Sequence, residues 1–108
     1  MTILTDPKKL VTVQFDEATA ATHEVVALTA GQRITVYEAH LRAVAANDVS
    51  LTSAATVKIG PVGLIAGGAI DKPANQLIPV VQCVAGEAFQ VVLTTTGRVT
   101  GWFRYIKE

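Results

Sequence analysis

The stretch that most restricts how this chain can fold is its end. Gly86-Glu-Ala-Phe-Gln-Val-Val-Leu-Thr-Thr-Thr-Gly-Arg-Val-Thr-Gly-Trp-Phe-Arg-Tyr-Ile-Lys-Glu108 sets two β-branched and aromatic segments around a Thr/Gly turn. A hairpin of this kind is stable in water only when other strands cover its apolar face. The segment therefore predicts a sheet that the C-terminus helps to close, not a solvated tail. The rest of the chain can supply the partners: Val, Ile and Thr number 15, 7 and 13, and such side chains fit the pleated surface of a strand.

With 108 residues the chain predicts a single domain over 1–108, large enough to bury about two thirds of its unfolded surface. The first nine residues, Met1 to Lys9, are expected to form an extended N-terminal arm. Nine Lys and Arg balance nine Asp and Glu, so no net field draws the molecule onto nucleic acid or an anionic bilayer. Half of the residues are hydrophobic and only 17% are charged, which predicts apolar surface that meets another protein chain. One cysteine, Cys83, excludes an intramolecular disulfide and a cysteine cage for metal, and it fits synthesis in a reducing compartment. The N-terminus lacks the basic, apolar and small-residue succession of a signal peptide, and no apolar run reaches the ~18 residues of a membrane helix.

Alternation places the strands. Leu10–Phe15 and Thr22–Leu28 read as the first two, with Asp16 to Ala21 as a loop between them. The segment from Gln32 to Ala46 changes phase: Ile34 and Val36 share one parity, Ala39, Leu41 and Ala43 the other. An extra residue does this, so a β-bulge is expected near Tyr37 or Glu38. The competing reading is a helix over Tyr37 to Ala46, disfavoured because no N-cap residue precedes it. Asn47-Asp48 reads as a turn, followed by strands at Val49–Ser53 and Ala55–Ile59, which continue one another or pair. Gly60-Pro-Val-Gly63 punctuates, Leu64–Ile70 is short and glycine-broken, and Asp71 to Asn75 reads as a turn. Pro79 cannot donate to a ladder, so the segment Gln76–Val84 lies at an edge or begins after Pro79. Phe89–Thr94 and Arg98–Lys107 complete seven to eight short strands, which together predict an all-β fold: a two-sheet antiparallel β-sandwich, jelly-roll-like.

The chemistry-bearing residues converge on nothing catalytic. Gly60 to Gly68 lacks the Lys-Ser/Thr ending of a phosphate loop, and its glycines read instead as positive-φ positions or close backbone approaches. His23 and His40 have no cysteine near them, and Glu24 and Glu38 are expected on the opposite faces of their strands, so no metal site is predicted. Ser50 and Ser53 lack a nucleophile elbow, Asp16 and Glu17 diverge as neighbours do in extended chain, and Cys83 sits among apolar residues as an inert small hydrophobe. No catalytic residue, cofactor site or enzyme activity is therefore expected. On the last strand Val99, Gly101, Phe103 and Tyr105 share one face, and Thr100, Trp102, Arg104 and Ile106 share the other. If the first set fills the core, Trp102, Arg104 and Ile106 point outward together, and these residue types mark protein interfaces; a strand packed on both faces and a ligand platform are the other readings.

Ala30-Gly-Gln-Arg-Ile-Thr-Val36 resembles a segment that opens a long strand in small virion proteins of tailed bacteriophages. Ala66-Gly67-Gly68, Leu77-Ile-Pro-Val80, Gly86-Glu-Ala-Phe89, Leu93, Val99-Thr-Gly101 and Tyr105 resemble that group in order and spacing, over about residues 28 to 108. Residues 1–27 carry no matching motif, and Thr56 to Ile70 is more aliphatic than the group's pattern. The resemblance implies a capsid decoration, or cement, protein: a homotrimer on the capsid exterior, made in the host cytoplasm, whose partners are itself and the major capsid protein. The alternative it leaves is a tail or fibre-tip module that binds host glycan through Trp102 and Tyr105.

Overall fold

The computed structural model describes residues 10–74 and 78–108. The arm expected at residues 1–9 and the Gln76-Leu77 start of one expected strand lie outside them. The described residues form nine strands and no helix: β1 (Val11–Glu17), β2 (Ala21–Val26), β3 (Ile34–Ala43), β4 (Asn47–Ser53), β5 (Thr56–Leu64), β6 (Ala69–Lys72), β7 (Val81–Gln82), β8 (Phe89–Leu93) and β9 (Val99–Lys107). One sheet has the order β1-β9-β3-β6, with β7 also on β3, and the other has the order β2-β8-β4-β5. All pairs are antiparallel, and most connections cross from one sheet to the other, the exceptions being β4 to β5 within one sheet and β6 to β7 within the other. The ninth strand arises because β6 and β7 share one edge position, pairing with 39–42 and 35–36 of β3.

The long strand β3 settles its two readings. It is extended throughout, and its register against β9 skips Tyr37, so Val36 faces Tyr105 while Glu38 faces Arg104. The bulge lets Ile34, Val36, Ala39, Leu41 and Ala43 all enter the core despite their change of parity. Phe103 of β9 meets Phe15 of β1 and Phe89 of β8 edge-to-face, at 6.4 and 5.0 Å between ring centroids, and so ties the two sheets together.

Several local expectations are corrected. Asp16 and Glu17 belong to β1, and Asp71 and Lys72 to β6, because partner strands supply hydrogen bonds that turn propensity cannot outweigh. Asn47 is the first residue of β4; its buried amide donates to the carbonyls of Thr95 and Gly97 at 2.9 Å each and accepts from the Thr95 N–H at 3.2 Å, pinning the β8–β9 turn. Gly60-Pro61 does not end a strand: β5 continues through it, with Val62 and Gly63 opposite Val49 and Asp48. Gly60 has φ +109°, and a Cβ there would stand 2.6 Å from the Val49 carbonyl oxygen, so only glycine fits. Pairing of β5 with β4, and the start of β7 after Pro79 at a sheet edge, follow the sequence reading.

Candidate interaction surface

Because β9 lies inside its sheet with Val99 and Phe103 buried beneath it, its other face looks outward. Gly101 makes the crossing tight, since a Cβ there would collide with the His40 carbonyl of β3. Register then sets the outer face out in rows: Thr12, Arg104 and Glu38; Gln14, Trp102, His40 and Asp71; Asp16, Thr100, Arg42 and Ala69. Ile106 stands one row further on, paired with Thr35, whose other neighbour is Gln82.

The expected interface residues thus share this face. Arg104 is exposed and Trp102 and Ile106 are partly so. The Arg104 guanidinium carbon lies 5.3 Å from the Trp102 ring centroid, which makes a cation–π contact. Ile106 joins the face, but no contact to the other two follows from the register.

His40 is the residue that sequence reasoning missed. Its Nε2 lies 2.8 Å from Glu38 Oε2 and its Nδ1 2.9 Å from Asp71 Oδ1, while its ring packs on the indole of Trp102 at 4.4 Å between centroids. Glu38 also meets Arg104 at 3.6 Å. Glu38 therefore shares a face with His40, contrary to expectation, as residues two apart in a strand do. The hydrogen bond to Asp71, then that to Glu38, raises the His40 pKa above its ordinary value. Two carboxylate partners on one ring favour the imidazolium, in which both nitrogens donate. The arrangement clamps the short β6 to β3 and holds the indole in one place. A hollow of about 220 Å³ beside it is lined by Trp102, His40, Arg42, Asp71 and Thr100.

Elsewhere the candidates separate. Asp16 accepts two hydrogen bonds from Arg98 at 3.0 and 2.9 Å, which lower its pKa, whereas Glu17 turns toward His23 at 3.7 Å. Ser53 is fully buried; it donates to Glu87 at 2.6 Å and accepts from the Val84 N–H at 3.0 Å. Cys83 is buried beside it, and burial raises its thiol pKa. Among the described residues no group of three His, Cys, Asp or Glu is arranged to hold a metal ion. Tyr105 packs against the core, on the side of β9 away from Trp102, so the two cannot form one glycan platform. No protein-family model, curated protein or solved structure matches the chain.

Proposed function

We propose that this chain is a capsid decoration protein of a tailed phage, a homotrimer that binds the outer capsid surface, contacts the major capsid protein and reinforces the shell. The observation that carries this reading is apolar and aromatic surface on a chain without net charge. Ile65 is 77% exposed, Ile78 64% and Leu28 54%, and Trp102 with Arg104 lies on the outer sheet face. Such residues favour burial against protein. A symmetric oligomer multiplies weak contacts with a repeating shell through effective concentration, so the function requires no reactive site.

Light scattering should give a mass near three times 11.4 kDa. Capsids that lack the protein should bind it and then rupture at higher temperature or force. Trp102→Ala should weaken capsid binding by about tenfold or more, the range of an interface aromatic. A monomer at high concentration that leaves capsids bare would remove the reading. Saturable quenching of Trp102 fluorescence by a glycan would favour the tail module instead.

A further inference from the structure

The two lateral edges of the sandwich carry opposite charge at matching height. One edge is formed by β1 and β2, the other by β5 with β6 and β7. In the β2-containing sheet a single cross-strand row runs from Glu24 through Gln90 and Thr52 to Val57. Lys58 is the next residue, the extra one at the register shift of β5. Glu24 and Lys58 therefore stand at opposite ends of nearly the same row. Both are exposed, and neither has an ion-pair partner among the described residues.

Each charge has company of its own sign or of apolar kind. Lys72, also without an ion pair among the described residues, joins Ile59, Ile78 and Val80 around a groove of about 400 Å³ that spans the seam between β5 and β6. Val57 beside Lys58 is 50% exposed. On the other edge Glu17 lies within 3.7 Å of His23, and Val11 at the start of β1 is 49% exposed.

We propose that these edges bind each other in neighbouring copies of the chain, head to tail, with Glu24 of one copy against Lys58 and Lys72 of the next. Direction permits it: each sheet has an even number of antiparallel positions, so its two edge strands run in opposite senses, and copies placed side by side meet antiparallel. Height decides the symmetry. Partners at nearly equal height can be brought together by rotation about an axis along the strands with little rise, which allows a ring to close, whereas a large offset would generate a filament. Pro61 has no N–H to offer, so the β5 edge lacks one backbone donor at that position, two residues past Ile59. The inference deepens the assembly reading above by naming the surface through which copies associate. The competing role for Lys58 and Pro61 is to keep an edge strand solitary.

Light scattering at low salt distinguishes the two. The wild-type chain, the Lys58→Glu/Lys72→Glu variant, the Glu17→Lys/Glu24→Lys variant and the chain with all four substitutions are compared. The wild type should associate, and each double variant should dissociate at concentrations at least about tenfold higher than the wild type does. The fourfold variant should recover the wild-type mass, and salt should weaken every assembly. Circular dichroism melts report folding, and if a charge reversal unfolds the chain, Lys58→Gln and Glu24→Gln in a double-mutant cycle read the same coupling. A wild type that stays monomeric, or an oligomer indifferent to these charges, overturns the proposal. Capsid binding is scored separately: an oligomer that obeys the charge rule yet ignores capsids keeps the head-to-tail interface and removes the decoration role.

Discussion

His40 shows how one side chain can hold an edge strand. Its pKa is raised in the folded chain, chiefly by Asp71 of β6, so the stability that it contributes is full below the unfolded value of about 6.5 and is lost as pH rises through the higher folded value. Thermal melts across this range should show His40→Gln less stable than wild type in acid, with the gap closing in base. Asn47 acts differently, because its three hydrogen bonds are to backbone groups that have no charge to titrate. Asn47→Ala should cost about 2 kcal/mol, read as a lower denaturant midpoint with unchanged slope, since the turn loses its partners while buried. Thr35 is the converse case. Its hydroxyl is buried without a hydrogen-bond partner among the described residues, so Thr35→Val should stabilise the protein by about 1 kcal/mol.

At the scale of elements, two irregular strands do the positioning. The extra residue Tyr37 returns β3 to the core face and, by the same step, turns Glu38, His40 and Arg42 outward beside β9. The parity change in the sequence marked this bulge, because a misplaced apolar side chain in a half-buried strand is too unfavourable to occur without one. The irregularity of β5 was less legible. Gly60-Pro61 reads as an end, yet the backbone of β4 lies close enough on that side for pairing to resume, a proximity that no local residue announces. Gly60→Ala should destabilise by about 2 kcal/mol or more, through both the positive φ and the approach of the Val49 carbonyl, and should leave the far half of β5 open to hydrogen exchange.

For the whole molecule, the order in which strands pair within the two sheets settles which residues meet. Trp102, Arg104 and Ile106 could be grouped from β9 alone, because a period of two holds along any strand. That His40 and Asp71, thirty-one residues apart, would stand beside Trp102 depended on β3 pairing with both β9 and β6. The opposed edge charges have the same origin, since Glu24 and Lys58 are distant in sequence and nearly level only once β8 and β4 lie between them. Local pattern, namely β-branched content, parity and turn residues, determined the sheet class, most strands, the bulge and the outward row of β9, because each depends on neighbours within a few residues. Tertiary pairing alone decided strand order, the passage of β5 through Gly60, the carboxylate clamp on His40 and the charge of each edge, because hydrogen bonds and ion pairs between distant segments exist only after the sheets have chosen their partners.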